Sequence, residues 1–254
     1  MLSFKRVNII FAVLLLLFSF LIFKGIISIW LLSLLFLGWI TLTTIGSFHI
    51  RWNYFLSAKH FNYQVKENVI SLTFDDGPNV EFTPKTLDLL KKHHVKATFF
   101  CIGKHIEQHP ELVKRIVDEG HTIGNHSYAH TNNYGFLKTN QVIEDISKTQ
   151  QLIKETLHIE NKLFRPPFGV TNPNIAKAVK TLDLQTVGWS IRTLDTKAKS
   201  VASVVEKITP KIKKGDIILL HDTSELSFLI LEQLLQFLKE HKYKSVNVHE
   251  LFNQ

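Results

Sequence analysis

The sequence predicts an α/β fold, with a parallel sheet closed or partly closed into a barrel behind two apolar N-terminal helices. Three observations point there. From Val69 onward, short apolar runs alternate with amphipathic segments about seven times. The residues best suited to chemistry stand at or just past the C-terminal ends of those runs, where α/β barrels place their sites. Ahead of all this, Val7 to Phe48 is almost wholly apolar, with Lys24 the only charge inside it.

The apolar block divides at Lys24-Gly25 into runs of about 17 and 22 residues, each long enough to cross a bilayer. A hairpin of two spans is expected. One tilted span would bury Lys24 at a cost of about 2.5–3.5 kcal/mol. No small-x-small cleavage site follows the first run, which argues against a removed signal peptide. Residues 1–48 are therefore expected to form a membrane anchor, 49–68 a polar and aromatic linker, and 69–254 the catalytic domain.

Within that domain "VISLTF" reads as the first strand. Thr83-Pro84 reads as a helix start, with a hydroxyl N-cap and Pro at the first helical position. "ATFFCIG" is a strand, and Pro110 opens a helix that Gly120 stops. "HTIGNH" is a strand, followed by a long helix over about Gln141 to Leu157. "LFRPPFG" is a strand ending in a rigid turn, and Asn172-Pro173 starts another helix. "LQTVGW" is a strand, Val201 to Ile212 a helix, "DIILLH" a strand, Ser227 to His241 a helix and "KSVNV" the last strand. Seven units exceed what a small open sheet usually holds, which favours a barrel over a doubly wound sheet.

The net charge of +8 comes from scattered lysines. No basic run with interleaved aromatics is present, so a nucleic-acid partner is not expected. Such a surface suits anionic lipid or an anionic polymer. The lone Cys101 excludes an intrachain disulfide and a multi-cysteine zinc site. Within "ATFFC" it reads as a small core residue.

"HSYAH" places His126 and His130 four apart, and on a helical turn they would share a face. Two imidazoles and one carboxylate, with a position left open, form a recurring catalytic zinc set. "FDDGP" offers Asp75 and Asp76 at the end of a strand, where Gly77-Pro78 turns the chain away. One carboxylate could bind the metal while the other takes a proton from water. A cation would offset their mutual repulsion. Arg165 in "RPPFG" is a permanent cation able to hold a carboxylate bidentately. His221 in "LLHD" leaves a strand beside this group and could serve as an acid.

With these motifs in order, the chain resembles the polysaccharide deacetylases of the carbohydrate esterase family-four type. The resemblance spans about Val69 to Val248 and rests on "TFDDGP", "HSYAH", "RPPFG", a diverged "WSIRTLDT" and "IILLHD". It implies a distorted (β/α) barrel and one divalent metal, zinc in the first place. It implies removal of N- or O-acetyl groups from a glycan such as peptidoglycan, chitin or xylan. By motif match Asp75 is the base, and Asp76, His126 and His130 hold the metal. Arg165 orients Asp75, and His221 is the acid. The amide of Phe168 helps hold the oxyanion, and Leu219 lines the pocket for the acetyl methyl. In the diverged motif Asp195 is kept, and it is expected to support Arg165 or His221. Thr196 stands where an aromatic is common, and Trp189 is expected to cover the same wall.

Two other function classes compete. A glycoside hydrolase needs carboxyls roughly 5–9.5 Å apart across a sugar bond, and it leaves the histidine pair unexplained. A non-catalytic, membrane-anchored carbohydrate-binding protein would not need the full set of chemical residues. A hairpin puts Lys5, Arg6, Arg51 and Lys59 on one side and Lys24 on the other, a bias that by charge alone keeps the domain in the cytoplasm. The substrates implied by the resemblance lie outside, so a periplasmic or extracellular domain is the expectation adopted.

Overall fold

The computed structural model describes residues 2–253. Helices α1 (Phe4–Phe23) and α2 (Trp30–Phe48) form the hairpin, with the turn at Lys24-Gly25. Trp39 Nε1 donates to Asn8 Oδ1 at 2.8 Å, and Phe11 packs against Phe36 and Trp39. Both helices are long and apolar enough to cross a bilayer, and few of their residues are buried within the protein.

The stretch expected to be a linker does more than connect. Ala58–Lys59 forms strand β1, and Ile50, Tyr54, Ala58 and Val65 are buried. A Cβ on Gly46 would lie 2.4 Å from the Tyr54 ring, so only glycine lets α2 sit this close to the domain. Thr171 N–H also donates to Ser47 O at 2.9 Å.

The remaining strands are β2 (Val69–Asp75), β3 (Ala97–Cys101), β4 (Thr122–Asn125), β5 (Leu163–Phe164), β6 (Gln185–Val187), β7 (Ile191–Arg192), β8 (Ile217–His221) and β9 (Lys244–Ser245). All pair in parallel in the order β1-β6-β5-β4-β3-β2-β8-β7, and β9 joins β2. β6 and β7 lie towards opposite ends of this order, yet only Gly188, Trp189 and Ser190 separate them in the chain. The covalent link closes the barrel where hydrogen bonding does not, giving the distorted (β/α) barrel expected.

The outer helices bury one face each. α3 (Phe82–Lys92) and α9 (Glu225–Glu240) press Leu87, Leu90, Ile230, Leu234 and Leu238 onto the sheet. α9 is capped by Ser224, and α7 (Pro173–Thr181) by Asn172 with Pro173 at its first position. Thr83 is not the cap of α3, which begins at Phe82 and so puts Pro84 at its third position, not its first. Asn79 Oδ1 accepts from Glu81 N and Phe82 N instead, and the Thr83 hydroxyl bonds Asp222. The chain also forms α4 (Gly103–Gln108) ahead of α5 (Pro110–Asp118), then α6 (Thr139–Leu157). The helix expected to reach Ile212 ends as α8 (Val201–Ile208), and Pro210 follows in a 3₁₀ turn. Cys101 is buried.

Candidate active site

Strand register alone brings the key positions to one rim. Asp75 stands opposite His221, and Asn125 stands opposite Phe164. The residues that follow Asn125 and Phe164, His126 and Arg165, therefore leave the sheet side by side. Asp75, Asp76, His126, His130, Phe168, Trp189, Leu219 and His221 all line one cleft of about 210 Å³. Arg165 and Asp195 lie behind its wall, both buried.

The two aspartates have different surroundings. Asp75 ends β2 and is buried; its Oδ1 accepts from Arg165 Nη1 at 2.7 Å. Its Oδ2 lies 3.7 Å from His126 Nε2. Asp76 has a left-handed backbone (φ 73), which swings its carboxylate to the same side instead of the opposite face. The Asp76 Oδ1 lies 3.4 Å from Nε2 of both His126 and His130. Burial would raise the Asp76 pKa, but His126, His130 and His221 hold it well below the usual carboxylate range. Glycine follows for a steric reason: a Cβ on Gly77 would lie 2.6 Å from the Asp222 carboxylate.

His126 and His130 do not share a helical turn. The segment is a loop in which Ser127 (φ 67) and His130 (φ 47) adopt left-handed backbones, and this brings both rings together, 4.8 Å apart. Asp145, from α6, accepts from Tyr128 N and Ala129 N and holds the loop. His126 Nδ1 donates to Arg165 O at 2.8 Å, which turns Nε2 and its lone pair toward Asp76.

Arg165 is fully buried. It donates to Val187 O, Thr73 Oγ1, Asp75 Oδ1 and Gly188 O, and lies over the Phe100 ring. It thus ties the β6–β7 link to β2 and β5. Asp195 pairs with His221, not with Arg165. Its Oδ1 accepts from His221 Nδ1 and its Oδ2 from His221 N, each at 2.8 Å. Thr193 Oγ1 also donates to Asp195 Oδ1. Burial opposes a charge on His221, yet Asp195, with help from Asp75 and Asp76, lifts its pKa to about 8. Its Nε2 faces the cleft, 3.8 Å from Asp76 Oδ2. Phe168 (φ 58) packs its ring on His130, and Gly169 (φ 70) faces the Trp189 ring.

Thr73, Asp145 and Thr193 have no outward mark in the sequence, because each acts by what it touches in space. Arg192, Thr196 and Lys197 complete the cleft lining.

The Asp76, His126 and His130 ligand atoms all lie within 4.8 Å of one another. Asp76 Oδ1 is buried with no hydrogen-bond partner. A buried oxygen left unpaired costs about 1–3 kcal/mol or more. With two imidazole nitrogens facing it, the set fits a cation.

Residues 62–187 match the family model for polysaccharide deacetylase. A peptidoglycan-N-acetylglucosamine deacetylase of Bacillus cereus is 40% identical over 61% of this chain and 56% of its own. The chain thus spans about half the length of that relative. The peptidoglycan-N-acetylmuramic acid deacetylase PdaA of Bacillus subtilis is 37% identical over 73% of this chain and 72% of its own. Among solved structures, a peptidoglycan N-acetylglucosamine deacetylase in complex with a hydroxamate superposes with a TM-score of 0.72 at 34% identity, covering 78% of this chain and 92% of that one. A CE4 family pseudoenzyme from Bacillus anthracis gives 0.68 at 31% identity, covering 73% and 66%.

Proposed function

Because the chain belongs to the polysaccharide deacetylase family, we propose that it is a metal-dependent hydrolase that removes acetyl groups, N-acetyl in the first place, from a cell-wall glycan such as peptidoglycan. The observation behind this is the unpaired, buried Asp76 Oδ1 between two imidazoles, directly beside an Arg-held Asp75 and an Asp-held His221. The cofactor assigned is one divalent ion, zinc, held by Asp76, His126 and His130. When bound there it supplies Lewis acidity to the acetyl carbonyl.

The chain's own residues do the proton work. Asp75 takes a proton from the attacking water through Oδ2, since Arg165 holds Oδ1. The Phe168 amide donates to the developing oxyanion. Protonated His221, oriented by Asp195, gives its proton to the departing amine. Water and the acetamido group thus leave as acetate and a free amine. Trp189 and Leu219 wall the place of the acetyl methyl.

Residues 1–48 are assigned as a bilayer anchor and 69–254 as the catalytic domain, with 49–68 bridging both. The domain is assigned to the outer face, where the glycan is. The relatives named for N-acetylglucosamine and for N-acetylmuramic acid leave both sugars as candidate substrates. The experiment is acetate release by the zinc-loaded full chain from peptidoglycan, chitooligosaccharides and acetylated xylan. Release from peptidoglycan or chitooligosaccharide is expected. No release from any of the three, with glycan still bound, would favour the non-catalytic alternative, which the pseudoenzyme neighbour makes concrete.

A further inference from the structure

A second cavity, of about 630 Å³, opens along the seam where the two ends of the sheet order face each other. Arg51, Arg192, Lys207, Lys211 and Lys213 line it, with His60 beside β1. Among the described residues, none of these five cations has a carboxylate within ion-pair distance, whereas Arg115, Lys154 and Lys162 elsewhere do. The one acid in the lining, Asp216, is buried and already engaged: it accepts from Ser190 Oγ at 2.6 Å and from Lys213 N at 2.7 Å. Asp216, which interacts electrostatically with Lys213, offsets one positive charge, and the lining keeps a clear excess of cations. Arg51 is held in place by donating to Ser190 O at 3.1 Å. Arg192 lies 5.5 Å over the Trp189 ring and lines both this cavity and the catalytic cleft. The two spaces share a wall.

We propose that this cavity is an anion subsite for the substrate: a carboxylate or phosphate that the glycan carries beyond the acetylated sugar is received by Arg192, Lys207, Lys211 and Lys213. This rests on the deacetylase proposal and narrows it to acidic acetylated glycans. Guanidinium and ammonium groups bind either anion, and several cations converging on one concave surface concentrate a polyanion there. Such binding raises affinity without touching the reacting atoms, so it belongs in KM and not in kcat.

The test compares a neutral chitooligosaccharide with peptidoglycan fragments that keep their carboxylates, using the zinc-loaded full chain and its Lys207→Ala/Lys211→Ala variant. For the acidic fragments KM should rise about five- to tenfold. The salt dependence of KM should flatten. The neutral substrate should be unaffected, and Lys207→Arg/Lys211→Arg should restore KM. Unchanged KM for acidic fragments, or an equal loss on both substrates, would overturn the proposal. So would loss of binding to anionic phospholipid vesicles with no change toward the fragments, since the cavity would then take a lipid headgroup. Direct titration of the fragments into Asp75→Asn, with and without the lysine changes, reads the subsite independently of turnover. If no substrate releases acetate but that titration still shows the loss, the deacetylase proposal falls and the anion subsite stands.

Discussion

Asp75 and Asp76 are chain neighbours in different environments, and the proposed function gives them different tasks. One is buried and tied to a guanidinium; the other is turned by a left-handed backbone toward two imidazoles. Asp75→Asn and His221→Ala should each lower turnover by roughly 10²–10⁴-fold with metal still bound, as general base and acid do. Steady-state rates together with metal analysis check this. In the proposed reaction His221 acts as a protonated acid, and with its pKa raised to about 8 activity should fall as pH rises through that value. Asp195→Asn removes the partner that raises it, and the alkaline limb of kcat/KM should move to lower pH with metal content unchanged. Loss of metal in that variant would contradict the role. Asp222 lies outside the proton chemistry: burial lifts its pKa to about 7 from an ordinary 3.8, against the opposing bond from Thr83. The folded state holds this proton more tightly than the unfolded one, so stability declines as pH rises from about 4 to 7, by on the order of a few kcal/mol. Asp222→Asn should flatten that decline in denaturant titrations across the window.

At the scale of elements, the rim works through turns that leave each strand in unusual backbone. Asp76, Ser127, His130, Phe168 and Leu194 are all left-handed non-glycine residues at or beside the cleft, a clustering expected where a site fixes its geometry. Gly169→Ala should show how tight the wall is. Its φ is 70°, and a Cβ would lie 2.3 Å from the Trp189 ring. A loss of about 1–3 kcal/mol in unfolding free energy, with lower turnover, is expected; an unchanged denaturation midpoint would contradict it. The same turns mark where sequence reasoning stopped. Alternating apolar runs placed β2, β3, β4 and β8 well, and chemical residues at their ends foretold one rim. "HSYAH" suggested a helical turn because i, i+4 spacing says nothing about left-handed residues inside it. β1 and β7 are two residues each, too short for a periodic signal, and they are held by pairing with β6 and β8. Asp195 had two possible partners in the sequence, and the fold brings it to His221.

At the scale of the molecule, the hairpin and the barrel are joined by more than the chain, through Gly46 against Tyr54 and Thr171 N–H to Ser47 O. If α1 and α2 anchor an outward-facing domain, protease added to intact spheroplasts should cut it. Cleavage only after lysis would place it in the cytoplasm and call for an intracellular acetylated substrate instead. The central claim is that Asp76, His126 and His130 hold the ion on which deacetylation depends. The full chain, stripped by chelator and assayed for acetate release from peptidoglycan or chitooligosaccharide, should be inactive and should regain activity at one equivalent of zinc. His126→Ala should retain no stoichiometric zinc and should not recover. Full activity after stripping, or a His126→Ala chain that binds zinc and recovers like the unaltered one, would contradict the account.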